Sequence, residues 1–395
     1  MKLLVVEDSP LSLELLCEQL KQWGHEAVGV SNGREAWKLL QQEEFSMVLS
    51  DWLMPGMDGV ELIRRIRRTK SGHYIFCILL TAKNDPEDLV HGMEAGADDF
   101  LTKPVHLEEL RVRLRAGERV INLERKLSQQ NQLLDQANQR MKLDLQAAGQ
   151  LQQSLLPTEI PDVANIRWAW NYQPCDELGG DFLNVFPLEE EYLGFYIVDV
   201  AGHGVAASLL SVAVSRVLTP EIFLSSINGN GNPHSLHEVA LPSRVATELN
   251  RRLPMEQMGN RFFTMLYGTL HCPTLKLRFV SASHPPVIVL RPGKEPDILK
   301  SKGYAIGWFP DSHYQDISLQ LTPGSRVFFH SDGLVECRNP QGQMYGTQRM
   351  AKLLQACHSK PLERILEDVD SALKEWLKNE KARDDWTILG LEIEK

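Results

Sequence analysis

The sequence predicts a multidomain chain: a doubly wound α/β domain with a five-stranded parallel sheet, a long coiled-coil helix, and an α+β domain with a β-sandwich flanked by helices. Over residues 1–117, short apolar strands alternate with helical segments, a pattern typical of βαβ units. Over 118–156, apolar residues recur about every 3.5 positions, as in a coiled coil. After Pro157, period-two strands separated by turns predominate. The domains are therefore placed at 1–117, 118–156 and 157–395.

Polar residues follow the predicted strands of the first domain. These strands span 2–6, 26–30, 46–50, 75–80 and 98–101. Functional groups of a parallel sheet collect beyond the carboxyl ends of its strands. The polar residues found there are Glu7, Asp8, Asp51, Thr81 and Lys103. Three converging carboxylates repel one another unless a cation neutralises them, and oxygen ligands suit Mg²⁺. One of them can then act as a nucleophile towards a phosphoryl donor.

The motifs VVEDS, SDWLMPGMDG, LLTA and GADDFLTKP occur in this order, and the segment resembles the receiver domain of two-component response regulators. The resemblance implies that Asp51 is the phosphoacceptor and that a histidine kinase is the partner. It implies a Mg²⁺ ion held by Glu7, Asp8, Asp51 and the main-chain carbonyl of Leu53.

The same resemblance assigns the residues that respond to phosphorylation. Thr81 and Lys103 would contact the phosphoryl group. Phe100 stands where the family has its switch aromatic, although an ordinary core phenylalanine also fits this position. The family has a cis peptide where this chain has Lys103-Pro104.

The linker segment carries its apolar residues in two heptad rows. One row is Val120, Leu127, Leu134, Met141, Ala148 and Leu155, and the other is Leu123, Gln130, Ala137, Asp144 and Leu151. So narrow a seam needs a partner, which favours a parallel homodimer whose helix carries a signal between the two domains. A single helix packed on its own flanking domains is the alternative, because Gln130 and Asp144 interrupt the seam.

The third domain is predicted to be an antiparallel sandwich with flanking helices. The predicted strands are 166–172, 182–187, 193–200, 263–271, 275–281, 286–290, 326–330 and 386–393. The predicted helices are 205–218, 238–252, 350–358 and 361–377, and a Gly- and Asn-rich loop is predicted at 225–236.

Separated acids lie at strand ends or turns of this domain. They are Asp181, Asp199, Asp332 and the pair Asp384-Asp385. One Asp beside Gly is usually a turn residue, but four flanked by apolar strands indicate an all-oxygen metal site. Such a site favours Mg²⁺ or Mn²⁺, and a pair of these ions about 3.5–4 Å apart can activate a water as a nucleophile.

The motifs GGDF, VDVAGHG, HSDGLVE and DDWT resemble the PPM family of metal-dependent serine/threonine protein phosphatases, in the branch that regulates bacterial sigma factors and sporulation. The resemblance implies that Asp199 bridges two Mn²⁺ or Mg²⁺ ions. It implies that the remaining ligands are the carbonyl of Val200, Asp181, Asp332, and either Asp384 or Asp385. We favour Asp384, because Thr387 then falls at the family's small hydroxyl position.

Four further positions bear on activity. His203 is a candidate proton donor to the leaving group, and a structural loop histidine fits it equally well. His284 is interpreted as structural. The chain departs from the branch at Asn184, where an acid is usual, and at Ser283, where Gly is usual. Neither change removes a bridging ligand, so we expect activity with looser metal affinity.

By resemblance, the substrate would be a phosphorylated anti-anti-sigma protein of the STAS type, acting in a partner-switching pathway. A catalytically inactive adaptor that binds a sigma factor or its regulator is the alternative. Such adaptors usually lose metal ligands, whereas this chain keeps all four acids. A diguanylate cyclase would need a second acid in place of Phe182. The sequence identifies neither the kinase, nor the substrate, nor the sign of regulation.

Composition excludes several other classes of protein. The 395 residues carry a net charge of −10, which argues against a nucleic-acid binder. The six cysteines form no CxxC pair, so neither a zinc site nor a disulfide framework is expected. No apolar run is long enough for a membrane span or a signal peptide, so we expect a cytoplasmic protein.

Overall fold

The computed structural model describes residues 1–69, 73–82, 86–157, 159–189, 191–218, 241–300, 302–378 and 380–394. It contains two compact units, Met1–Gln139 and Arg140–Lys395. The Gly- and Asn-rich loop predicted at 225–236 and the start of the helix predicted at 238–252 lie outside the described residues. Among the helices that the structure describes, none combines the length and apolarity needed to cross a membrane.

The first unit contains the predicted five-stranded parallel sheet, in the order β2-β1-β3-β4-β5. Its strands are β1 Lys2–Val6, β2 Glu26–Val30, β3 Met47–Asp51, β4 Phe76–Thr81 and β5 Asp99–Thr102. Each predicted strand is present, shifted by one residue at most. Helices α1 Pro10–Gln22, α2 Gly33–Leu40, α3 Gly59–Arg68 and α4 Pro86–Glu94 connect the strands. Apolar residues on both faces of the sheet are buried, as a parallel sheet covered by helices requires.

Helix α5, Leu107–Gln153, is longer at its start than the helix predicted at 118–156. It begins earlier because its first turns belong to the core of the first unit, where Leu110, Leu114 and Ile121 are buried. Further along, apolar side chains are exposed, among them Leu127 at 52% and Leu134 at 59%. The boundary between the two compact units falls within this helix.

The second unit contains two five-stranded antiparallel sheets, in the orders β13-β10-β9-β8-β7 and β12-β11-β14-β15-β6. Their inner faces share one core, in which the rings of Phe195 and Phe329 lie 4.7 Å apart. This arrangement confirms the predicted sandwich. The strands are β6 Ile166–Gln173, β7 Asp181–Glu189, β8 Tyr192–Val200, β9 Phe263–His271, β10 Lys276–Ala282, β11 Val287–Leu290, β12 Asp297–Leu299, β13 Ile317–Gln320, β14 Arg326–His330 and β15 Trp386–Ile393.

Helices flank this sandwich as predicted. They are α6 Val205–Val217, α7 Pro242–Arg252, α8 Asp332–Glu336, α9 Thr347–Ala356 and α10 Leu362–Leu377. Helices α9 and α10 bury apolar residues against the outer face of the second sheet. The short helix α8 was not predicted, and it begins at one of the candidate metal ligands.

Candidate functional site

The acids of the first unit come together beyond the ends of two neighbouring strands. Glu7 and Asp8 follow β1, and Asp51 ends β3. One carboxylate oxygen from each of these three residues lies within 4.8 Å of the others. The group is made only of oxygen ligands and is partly open to solvent through the exposed Asp8, so its donor set fits Mg²⁺.

Lys103 neutralises part of this charge. Its Nζ donates hydrogen bonds to Asp51 Oδ2 at 2.7 Å and to Glu7 Oε2 at 2.8 Å. Burial raises the pKa of Glu7, while the hydrogen bond from Lys103 acts in the opposite direction. Burial alone would lower the pKa of Lys103, but its bonds to Asp51 and Glu7 outweigh that effect and raise it.

The other predicted receiver residues differ in how far their side chains are buried. Thr81 is buried at the end of β4, and its carbonyl accepts a hydrogen bond from the backbone N–H of Lys103 at 2.7 Å. The Lys103-Pro104 peptide is cis. Phe100 is half-buried in β5, and the side chain of Leu53 is 60% exposed.

In the second unit, the four candidate metal ligands lie along the edge where β7, β8, α8 and β15 begin or end. Asp181 opens β7 and is paired in register with Asp199 of β8. Both are buried, whereas Asp332 is half-buried and Asp384 is exposed. Within the described chain, only the receiver triad has three ligand atoms that all lie within 4.8 Å of one another. The four acids of the second unit are therefore more widely spaced than that triad.

Repulsion and burial together raise the pKa values of these acids. Burial and repulsion from Asp199 and Asp385 hold the pKa of Asp181 well above its usual range. Burial and repulsion from Asp332 and Asp384 do the same for Asp199. Burial and the nearby Asp384 raise the pKa of Asp332 to about 6. Among the described residues, no lysine or arginine forms an ion pair with these acids, and a buried acid cluster of this kind fits divalent metal ions.

Asp384 and Asp385 have different surroundings. The buried carboxylate of Asp385 accepts backbone N–H hydrogen bonds from Cys175 at 2.8 Å, Gly180 at 2.5 Å and Asp181 at 3.3 Å. Its oxygens therefore hold the loop that leads into β7. Asp384 is exposed, and it accepts one hydrogen bond, from the N–H of Asp385 at 2.9 Å. Asp384 thus has oxygen capacity left for a metal ion.

Two threonines orient the buried acids. Thr387 Oγ1 donates to Asp181 Oδ2 at 2.6 Å. Thr264 Oγ1 lies 3.5 Å from Asp199 Oδ2 and 2.7 Å from His284 Nδ1. Burial lowers the pKa of His284 to about 3, so the ring is neutral and can donate from Nδ1 while the threonine donates to Asp199. Thr264 was not predicted from the sequence, because one Thr in a strand carries no distinguishing pattern.

Val200 is the last residue of β8, and His203 lies in the loop between β8 and α6. A Cβ at position 180 would lie 3.0 Å from the Val200 carbonyl oxygen, so the close approach of these two segments favours Gly180. His203 is 65% exposed, and its Nδ1 lies 3.5 Å from Asp176. Lys381 also pairs with Asp176, at 2.5 Å.

The end of α5 contacts the loop before Asp181 directly. The buried Gln152 side chain donates to the Gly179 carbonyl at 2.7 Å and accepts from the Gly179 N–H at 3.2 Å. It also donates to Ser211 of α6 at 3.3 Å. One turn earlier, a Cβ at Gly149 would lie 2.1 Å from the carbonyl oxygen of Glu177. No role was predicted for Gln152, because glutamines are frequent along the linker.

The two departures from the phosphatase pattern have different consequences. Ser283 has a φ of 59°, the left-handed conformation that favours glycine. The usual Gly at this position is thus explained by the backbone, and Ser occupies the same conformation. Asn184 lies in β7, and its Oδ1 accepts from the N–H of Val185 at 2.8 Å.

Comparison with protein families assigns both units. Residues 189–394 match the family described as Stage II sporulation protein E (SpoIIE), and residues 3–115 match the response regulator receiver domain. The SiaA-PP2C domain of Pseudomonas aeruginosa has a similar fold, with a TM-score of 0.53 and 23% identity over 65% of this chain and 98% of that domain.

Two curated relatives each match part of the chain. Protein IcfG of Synechocystis sp. is 28% identical over 269 residues, which are 63% of this chain and 41% of that protein. The transcriptional regulatory protein AfsQ1 of Streptomyces coelicolor is 40% identical over 114 residues, which are 29% of this chain and 49% of that protein. The chain thus spans half or less of the length of these two relatives. Since the SpoIIE match takes in more than half of the chain, the protein belongs to the SpoIIE family, with a response regulator receiver domain preceding its PPM-type phosphatase domain.

Proposed function

We propose that this protein is a cytoplasmic response regulator in which phosphorylation of Asp51 controls a metal-dependent phosphoserine/phosphothreonine protein phosphatase. The observation that carries the phosphatase assignment is the acid cluster of the second unit. Asp181 and Asp199 are buried beside Asp332 and Asp384, and the pKa values of all four are raised. Such a cluster is costly without cations, and its all-oxygen character suits Mn²⁺ or Mg²⁺.

Two ions would be held by Asp181, Asp199, the carbonyl of Val200, Asp332 and Asp384, and when bound they would supply an activated water and neutralise phosphate charge. The protein's own residues orient these ligands. Thr264 and Thr387 direct the carboxylates of Asp199 and Asp181, and Asp385 holds the intervening backbone. His203 would donate a proton to the departing serine or threonine oxygen, and its exposure and its proximity to Asp176 support this role.

In the receiver, Asp51 would accept a phosphoryl group from a histidine kinase, with Mg²⁺ held by Glu7, Asp8, Asp51 and the Leu53 carbonyl. Lys103 already contacts Asp51, so it is close enough to pair with a phosphoryl oxygen. Thr81 would donate a hydrogen bond to the same group, and Phe100 would change its packing in response.

The linker supports a parallel homodimer through residues 118–156. Its apolar side chains include Leu123, Leu127, Leu134 and Met141, each more than half exposed. Leaving such a row in water is unfavourable, and pairing two copies would bury it.

We also propose that the substrate is a phosphorylated STAS-type protein in a partner-switching pathway, which rests on the family assignment. The inactive-adaptor alternative is disfavoured, because all four acids and the two threonines that orient them are present.

Phosphate release from p-nitrophenyl phosphate tests the phosphatase directly. We expect Mn²⁺-dependent turnover by the full-length protein and its loss in Asp199→Asn. Asp162→Asn is the matched control. Asp162 is an exposed Asp of the same unit, and it precedes Ile166, which pairs with Ile393 at the end of β15 remote from Asp384. Absence of turnover in folded, Mn²⁺-loaded wild-type protein, both with the receiver unmodified and with it phosphorylated, would favour the adaptor.

A further inference from the structure

Three aromatic side chains of the loop between β12 and β13 are exposed side by side. Tyr304 is 59% exposed, Trp308 46% and Phe309 47%. The rings of Trp308 and Phe309 are stacked, with centroids 5.9 Å apart, and Tyr304 meets Phe309 edge-on at 4.9 Å. We call these three residues the aromatic ledge. Contiguous exposed aromatic surface is unfavourable in water and marks binding sites.

The ledge is held in place by a buried polar side chain. Asn250 of α7 is 3% exposed. Its side-chain amide donates to the carbonyls of Phe309 at 2.8 Å and Pro310 at 3.1 Å, and its oxygen accepts from the N–H of Gly307 at 2.8 Å. These bonds fix both sides of Trp308. A surface whose anchors are already ordered loses little conformational entropy on binding.

The ledge is continuous with the acid cluster. Tyr304 and Phe309 line a groove of about 1340 Å³ whose lining also includes Thr264, His284 and Asp332. Trp308 stacks on Phe262, with ring centroids 4.5 Å apart. The carbonyl of Phe262 in turn accepts the N–H of Ala201, two residues beyond Asp199.

Charge adds a second feature to the groove. Lys300 and Lys302 line it and are exposed, and neither forms an ion pair with any residue that the structure describes. The acids Asp311 and Glu336 also line it. Unpaired lysines beside the ledge favour a partner that carries acidic as well as apolar side chains.

We propose that the ledge and groove bind the segment of the phosphoprotein substrate that flanks its phosphorylated Ser or Thr. The segment is recognised by large apolar side chains on the ledge and by acidic groups near the lysines. This inference rests on the proposed phosphatase function, and it specifies the substrate class of that site.

The test compares three substrates of the full-length, Mn²⁺-loaded protein: p-nitrophenyl phosphate and two synthetic phosphoserine peptides. The peptides are identical except that Leu and Phe flank the phosphoserine in one and Gly and Ser in the other, with Glu residues in both. We expect the apolar peptide to have a kcat/KM about tenfold higher, the size of effect that a buried aromatic anchor produces. We expect Tyr304→Ala with Phe309→Ala, the two ledge residues that line the groove, to remove this preference through KM, with p-nitrophenyl phosphate turnover unchanged.

Met344→Ala is the control, because Met344 is 42% exposed in the same unit but does not line the groove. It should keep the preference. Equal kcat/KM for the two peptides, or a ledge variant that keeps the preference, would overturn the proposal. A ledge variant that forms a smaller oligomer than the wild type would also overturn the proposal, because the ledge would then be an interface between copies of this chain. Failure of the phosphatase function itself is separately visible as the absence of p-nitrophenyl phosphate turnover in the wild type.

Discussion

The neighbouring and chemically identical residues Asp384 and Asp385 have different surroundings. The first is exposed, and the second binds three backbone N–H groups. The sequence favoured Asp384 through the position of Thr387, and the hydrogen bonds give a physical reason for that preference. Adjacent carboxylates cannot be told apart by composition, because backbone geometry alone decides which one turns inward.

The two residues should therefore respond differently to the same substitution. In Asp384→Asn we expect no loss of stability in metal-free protein, since repulsion with Asp199 and Asp332 is relieved, and a Mn²⁺ half-saturation concentration raised about tenfold or more. In Asp385→Asn we expect a loss of about 1–3 kcal/mol of stability, since an amide cannot satisfy all three donors. Urea unfolding and Mn²⁺ titration of activity check both. The reverse pattern would assign the metal to Asp385.

The raised pKa values of the acid cluster predict a pH dependence. A carboxyl group whose pKa is higher in the folded than in the unfolded chain takes up protons on folding, so stability falls as the pH rises between the two values. For Asp332 these values are about 6 and the ordinary 3.8, and Asp181 and Asp199 extend the window upward. In EDTA, the urea midpoint of the wild type should fall relative to that of Asp332→Asn as the pH rises from 4 to 7. Mn²⁺ should reduce the difference, and a midpoint difference independent of pH would contradict this account.

Among the elements, the last turn of α5 has the most direct connection to the candidate metal ligands. Gln152 holds Gly179, and Gly180 and Asp181 follow it in the chain. Replacing Gln152 with Leu leaves the Gly179 N–H and carbonyl without their partner. Leaving such buried groups unpaired costs about 1–3 kcal/mol, so the loop would move and carry Asp181 with it. We therefore expect kcat to fall about tenfold and the Mn²⁺ requirement to rise. The neighbouring Gln153→Leu is the control, since Gln153 is exposed. Equal activity of the two variants would show that Gln152 does not position the loop.

The proposed coiled coil makes a prediction that separates two adjacent leucines. Leu134 lies in the heptad seam, whereas Leu133, 66% exposed, lies outside it. Leu134→Lys should convert a dimer into a monomer, because the introduced lysine side chains of the two helices would be buried against each other. Leu133→Lys should leave the dimer intact. Sedimentation equilibrium measures both masses, and a monomeric wild type or the opposite result would reject this seam.

Strands with a clear apolar pattern could be predicted from the sequence, whereas short edge strands could not. Strands with continuous or alternating apolar residues, such as β1 and β9, were found at the predicted bounds. Strands β12 and β13 were missed, because each is an edge strand of three or four residues with a partly exposed pattern. The start of α5 was placed too late, because Leu110 and Leu114 pack into the first unit and leave the heptad seam to begin only afterwards.

For the whole molecule, the order of domains could be predicted because each domain carries motifs of several residues in fixed order. The groups that tune the candidate sites were not predictable. Gln152, Thr264, Asn250 and Asp176 act through contacts between residues far apart in the chain. Such contacts depend on the folded backbone, so they become visible only in the structure.

We propose that phosphorylation of Asp51 controls the phosphatase domain, and phosphate release can be measured with and without that phosphorylation. Phosphate release from p-nitrophenyl phosphate is followed in the full-length protein before and after incubation with acetyl phosphate and Mg²⁺, beside Asp51→Ala. We expect turnover of the wild type to change by several-fold, of either sign, and the variant to show no response while its dimer mass is unchanged. An equal response in Asp51→Ala, or a wild type that is phosphorylated at Asp51 with unaltered turnover, would contradict the account.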